Sequence, residues 1–106
     1  MTGDYEVKAV EVLGRSETML VRQFIFAPGQ STPWHAHSSM RDLALCVTGE
    51  ITLETRSPSR SLTLKPGERA ETAPGAPHRL VNLGTADAQV LLIQDGGAYD
   101  FRLDAG

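Results

Sequence analysis

Residues 29–49 read GQSTPWHAHSSMRDLALCVTG and residues 67–82 read GERAETAPGAPHRLVN. Each segment opens on a Pro-Gly pair, Pro28-Gly29 or Pro66-Gly67, and runs into residues that alternate in polarity, as a turn feeding a half-buried strand does. The chain's three histidines all fall inside these segments, as His35, His37 and His78. The same punctuation continues on both sides, at Gly14, Gly49, Pro58, Pro74-Gly75, Gly84 and Gly96-Gly97. Between the breaks lie runs of strand length: Met19–Ala27, Arg41–Val47, Ile51–Thr55, Arg60–Leu64, Arg79–Leu83 and Ala88–Gln94. None carries a 3.6-residue apolar period through three turns, so an all-β domain is expected. Tyr5–Leu13 fits either a short helix, through Val7, Val10 and Leu13, or an edge strand, and is assigned as strand. A sandwich, a jelly roll and a small barrel all satisfy this pattern.

Composition narrows the functional classes. The chain has 106 residues, 41% of them apolar and 22% charged, which suits one domain over residues 1–106. Cys46 is the single cysteine, so no intrachain disulfide staples the fold and a reducing cytoplasm is the expected compartment. Met1-Thr2-Gly3-Asp4 has neither a basic segment nor an apolar one, and no apolar run approaches the length of a membrane span. A net charge of −3, without a basic run, argues against nucleic acid and anionic membranes as partners.

His35 and His37 are spaced i, i+2, which on a strand puts both rings on one face with Cα atoms about 6–7 Å apart, close enough to converge on one ion. Asp42 follows five residues later, after a turn through Ser38-Ser39-Met40, and could bring a carboxylate oxygen to the same ion. Two or three neutral imidazoles with one carboxylate suit one divalent transition metal, Fe, Mn, Ni or Zn, rather than Mg or Ca. Each imidazole must be deprotonated to bind, so affinity is expected to fall below about pH 6.

These residues carry a resemblance. The chain is similar to small single-domain members of the cupin superfamily, whose first motif is Gly, five residues, His-X-His, three or four residues, Glu, six residues, Gly. Residues 29–49 match each spacing, with Asp42 in place of Glu. The second motif is Gly, five residues, Pro-X-Gly, two residues, His, three residues, Asn. Gly67, Ala73-Pro74-Gly75, His78 and Asn82 follow it, with Ala73 where Pro is usual. The resemblance implies a double-stranded β-helix, or jelly-roll barrel, with His35, His37, Asp42 and His78 holding a metal inside. It also implies a homodimer and a small-molecule ligand. Family chemistry ranges over dioxygenases, decarboxylases, isomerases, cyclases, lyases and non-catalytic sugar-binding modules, so it does not fix a reaction.

Other residues are candidates for the pocket. Asp42 is one methylene shorter than Glu and could bind directly, bind through water, or pair with Arg41 or Arg22. Arg22 and Gln23 interrupt the apolar run Leu20–Phe26, so one of them faces inward. An inward Arg could clamp a carboxylate, and an inward Gln could orient a ligand histidine. Cys46 shares strand parity with Asp42 and reads either as a small buried hydrophobe or as a weak extra ligand. Trp34 and Met40 flank the histidines and could line the mouth or simply pack. Asn82 shares parity with His78 and is expected inward, in a turn or beside the third histidine. Tyr99 and Phe101 alternate as a terminal strand covering a seam or a dimer contact would.

The best-fitting function is a metal-dependent enzyme acting on a small polar organic molecule, of oxygenase type or of enolate type (isomerase, cyclase or decarboxylase). A non-catalytic binding module with a structural metal is the alternative.

Overall fold

The structure, a computed structural model, describes residues 7–56 and 58–103, and these contain strands and turns but no helix. In chain order the strands are β1 Ala9–Arg15, β2 Met19–Phe26, β3 His35–Ala36, β4 Arg41–Thr48 and β5 Ile51–Arg56. They continue as β6 Ser59–Leu64, β7 Arg69–Thr72, β8 His78–Val81, β9 Ala88–Asp95 and β10 Arg102–Leu103. Two five-stranded antiparallel sheets result, ordered β1-β2-β9-β4-β7 and β10-β3-β8-β5-β6. Sequence-distant strands lie side by side, as in a jelly roll.

Most expected strands lie within a residue or two of their observed ends. β1 includes the second half of the Tyr5–Leu13 run and settles its ambiguity as strand, while Tyr5 and Glu6 lie outside the described residues. β8 stops at Val81, short of the expected Leu83, because Asn82 turns the chain. The short strands β3, β7 and β10 are not delimited by sequence pattern, since two to four residues carry too little periodicity.

Strict alternation on β2, β4 and β9 turns one face of the first sheet inward. Register stacks the inward residues in rows two residues, or about 6.6–6.8 Å, apart along the strands. The row at one end is Leu20, Gln94, Asp42 and Thr72; the next is Arg22, Leu92, Ala44 and Ala70. Below them come Phe24, Val90 and Cys46, then Phe26 and Ala88. The lower rows join Ile51, Leu53, Leu64 and Leu80 of the second sheet in one apolar core. One end of the barrel is therefore an oily floor and the other a polar mouth. At the floor, Gly49 turns β4 into β5 at positive φ, and a Cβ there would collide with the Asp87 carbonyl, so the glycine closing the first motif is a packing requirement.

Candidate metal centre

Three local devices bring the histidines together. Thr32 donates its N–H to the Leu80 carbonyl and accepts the Leu80 N–H on Oγ1, laying the segment before β3 along β8. His35 then pairs directly with His78 across the β3–β8 bridge. Gly75 donates its N–H to the His37 carbonyl at 2.7 Å, tying the second motif's turn to the first motif's histidines. Asp42 enters from the opposite sheet as the first inward residue of β4.

The result is a cluster of His35, His37, Asp42 and His78, all buried, whose donor atoms lie within 4.8 Å of one another. Asp42 Oδ2 is 3.0 Å from His78 Nε2 and 3.3 Å from His37 Nε2. The other ring nitrogens all contact backbone carbonyls: His35 Nδ1 that of Pro33 at 2.7 Å, His37 Nδ1 that of Asp100 at 2.6 Å, and His78 Nδ1 that of Ala76 at 2.9 Å. A carbonyl oxygen only accepts, so each Nδ1 must carry the proton. In the neutral ring this leaves the Nε2 lone pair free, and two of these lone pairs face a carboxylate oxygen. Lone pair against lone pair at about 3 Å is repulsive unless a proton or a metal ion lies between them. Asp42 Oδ1 is also buried without a hydrogen-bond partner. Three imidazole nitrogens, one carboxylate and an orphaned carboxylate oxygen fit a borderline divalent metal, and the cluster is able to bind one.

The electrostatics agree. Burial, together with the neighbouring His78, lowers the His35 pKa to about 4, keeping that ring neutral near pH 7. Burial also opposes charge on His37, but its bonds to Asp42 and to the Asp100 carbonyl outweigh that and raise its pKa. Burial alone would push Asp42 up; contacts with His37 and His78 win and hold it well below the usual carboxylate range. The carboxylate is therefore ionised, neutralising part of any ion's charge.

Around the cluster, Gln94 donates Nε2 toward His37 Nε2 at 3.1 Å and Asp42 Oδ2 at 3.3 Å, while its Oε1 accepts from Arg22 Nη2 at 2.8 Å. Phe101 stacks on His35 with centroids 4.6 Å apart, and Tyr99 lies 5.5 Å from the His37 ring. With β10 paired to β3, these residues form a strap over the mouth.

The candidate residues sort clearly. Asp42 pairs with neither Arg41, which is bound to Asp95 and Glu71 outside the barrel, nor Arg22. Arg22 is the inward member of its pair, and Gln23 faces the outside of the first sheet, so Gln23 does not reach the cluster. Cys46 does point inward, but two rows below Asp42; it is packed in the apolar core with Sγ toward the Thr48 and Gly49 carbonyls, and burial raises its pKa. Trp34 packs against Arg56 and Arg79 of the second sheet, whose guanidinium carbons lie 4.0 and 5.4 Å from its ring centroid. Met40 is buried beside Arg22 and Tyr99. Asn82 lies four residues beyond His78, toward the floor, where it bonds the Phe26 and Ala86 carbonyls and the Gly84 N–H, so it is a turn residue rather than a neighbour of the histidine. Gln94 escapes the sequence reading, although the signal exists: it is the one polar residue on the inward face of Ala88–Gln94, the same anomaly that singles out Arg22.

Comparison with known proteins places the molecule. The family model for the cupin domain matches residues 22–94, which include all four cluster residues. No curated protein matches the sequence. Among solved structures, the TT1209 protein of Thermus thermophilus superposes with a TM-score of 0.77 at 26% identity, covering 84% of this chain and 83% of that one. A conserved protein with a double-stranded β-helix domain from Klebsiella pneumoniae gives 0.81 at 22% identity, with 92% and 84% covered. A recombinant oxalate oxidase in complex with glycolate gives 0.78 at 18% identity, covering 90% of this chain and 54% of that enzyme, so the present chain spans about half its length.

Proposed function

The chain belongs to the cupin domain family, and from that premise we propose that it is a metal-dependent enzyme acting on a small polar organic substrate, with His35, His37, Asp42 and His78 as the metal ligands. One observation carries the reading: three Nδ1 atoms are fixed on backbone carbonyls while the Nε2 atoms of His37 and His78 turn toward one buried carboxylate. A bound Fe, Mn, Ni or Zn ion would supply Lewis-acid polarisation of a substrate oxygen or, as Fe, oxygen chemistry. The chain's own part is positioning. The backbone carbonyls fix the rings, Gln94 holds Asp42, and Phe101 and Tyr99 pack against the His35 and His37 rings. The one cysteine lies two rows below the cluster in the apolar core, which favours metal-centred chemistry over covalent chemistry by a thiol. Oxygenase-type and enolate-type reactions both fit. The glycolate-bound oxalate oxidase supports a small oxygen-rich acid as the first compound to assay.

The test is metal content per chain by elemental mass spectrometry on untagged protein, before and after anaerobic reloading with Fe(II), Mn(II), Ni(II) and Zn(II). About one ion per chain, lost in His78→Ala, is expected, followed by turnover of a small acid by one loaded form. A loaded protein that keeps no exchangeable coordination position would favour the binding-module alternative.

Two further features of the proposal concern the molecule's setting. A homodimer is supported by the outer face of the first sheet, where Val21, Ile25, Leu43, Leu45, Leu91 and Ile93 form an apolar surface. Glu11 and Arg69 stand at opposite margins of one register row of that face, so a dyad along the strands would set each Glu11 opposite Arg69 of the second copy. Light scattering checks this, with Leu91→Lys expected to give monomer. A cytoplasmic location is supported by the single, buried Cys46. Among the described residues no helix is long and apolar enough to cross a membrane.

A further inference from the structure

Beside the metal centre runs a groove of about 270 Å³, between the β1–β2 turn and the barrel mouth. Ser16 lines it beside two arginines and a set of apolar side chains. Arg15 and Arg22 bring guanidinium groups, and no acidic residue joins them. Met19, Leu20, Met40 and Tyr99 supply an apolar wall. Neither arginine forms an ion pair among the described residues. Arg22 is held rather than free: its guanidinium carbon lies 5.1 Å from the Phe24 ring centroid and 5.0 Å from that of Tyr99, and Nη2 donates to Gln94 Oε1. Its Nε is buried and has no acceptor. A half-buried cation held against two rings, with no counter-charge among the described residues, is costly unless an anion reaches the part of its guanidinium that faces the groove.

We propose that this groove binds an amphipathic carboxylate, its anionic head on Arg22 and Arg15 and its apolar body along Met19, Leu20, Met40 and Tyr99. A planar guanidinium fork matches a carboxylate, and a head without an apolar tail would leave the Met and Tyr wall wet. The volume accommodates a chain of several carbons, larger than glycolate. Gln94 links groove to metal centre: one end of its amide accepts from Arg22 and the other donates to Asp42 and His37. As the identity of the substrate class, this assignment rests on the metal-enzyme reading above. As a binding site it does not, because the arginines and the apolar wall belong to the protein alone.

Calorimetric titration of the full chain, zinc-loaded and after chelation, with hexanoate, hexanamide and acetate tests the proposal. Hexanoate is expected to bind at least tenfold more tightly than either comparator in both forms, since the amide lacks the charge and acetate the tail. Arg22→Gln should weaken hexanoate at least tenfold at unchanged zinc stoichiometry, and Arg15→Gln by a few-fold. Met19→Glu, at an exposed strand end, places a negative charge on the wall and should weaken hexanoate even if Arg22→Gln does not fold. Equal binding of hexanoate and hexanamide would overturn the proposal, as would hexanoate binding that needs zinc and ignores these three substitutions. A chain that retains no metal yet binds hexanoate through Arg22 would sink the enzyme reading and leave the groove standing.

Discussion

Along β4 the inward side chains run Asp42, Ala44, Cys46, and along β9 they run Gln94, Leu92, Val90, Ala88. The same strands thus build a polar mouth at one end and an apolar floor at the other, within about 20 Å of strand. The floor holds the fold: Phe24, Phe26, Ile51, Val90 and Leu80 are each at most 3% exposed. The mouth gathers four ionisable groups in a space that excludes water, an arrangement that burial penalises unless an ion compensates it. Function and stability are therefore separable along the strand axis, and substitutions at the two ends should have opposite signatures.

The largest effect is expected at the mouth. His78→Ala removes a proposed ligand and one of the two imidazoles facing Asp42, so metal retention should be abolished while the far-ultraviolet circular dichroism spectrum stays that of a β protein. Wild-type metal content in this variant would break the separation of ends. Next comes the floor. Phe26→Ala deletes a fully buried ring and should cost about 3–5 kcal/mol in urea unfolding, with metal stoichiometry of the folded protein unchanged. Loss of metal from the folded fraction would mean that the floor also sets the ligand geometry.

Asp42→Glu sharpens the comparison, because it changes reach and keeps charge. If Asp42 binds directly, lengthening it should change metal affinity measurably, read by competition with a chelator. No change would place the carboxylate outside the coordination sphere. A smaller effect is expected from pH on the metal-free protein. The folded-state pKa of His35 is lowered to about 4 from 6.5, so the unfolded chain binds the extra proton between those values. Stability should therefore fall as pH drops from about 6.5 toward 4, and His35→Gln should flatten that part of the profile. Raising the His37 pKa works in the opposite sense, adding stability below its unfolded value that is lost as pH rises through its folded one. An identical profile for wild type and His35→Gln would remove His35 as the source of the slope.

How much of this is legible in the sequence follows from the same two ends. The floor is periodic: alternation along β2, β4 and β9 is long enough to assign strand and inward face together. The histidines are legible because their spacing is a motif in itself, and Asp42 because a fixed interval separates it from them. Trp34 and Asn82 are less legible, since parity says which face a residue occupies but not what stands opposite it. Asn82 lies beyond the end of β8, where strand parity no longer applies. The strap is barely visible, because β10 has two residues and its hold on the mouth joins Asp100 to Ser38 and His37, residues more than sixty positions apart that no local pattern links. Gln94 shows the converse: a polar residue at the end of an apolar face is visible, but its meaning depends on the register that sets it opposite Asp42.

The most direct test of the central claim is the coordination sphere of the loaded protein, read from an anomalous-scattering crystal structure of the zinc or iron form. One ion bound by the Nε2 atoms of His35, His37 and His78 and an oxygen of Asp42, at about 2.0–2.2 Å, with the Nδ1 atoms still on their carbonyls, is the expected result. An ion bound elsewhere, or one held by Nδ1 atoms with the backbone bonds broken, would contradict it.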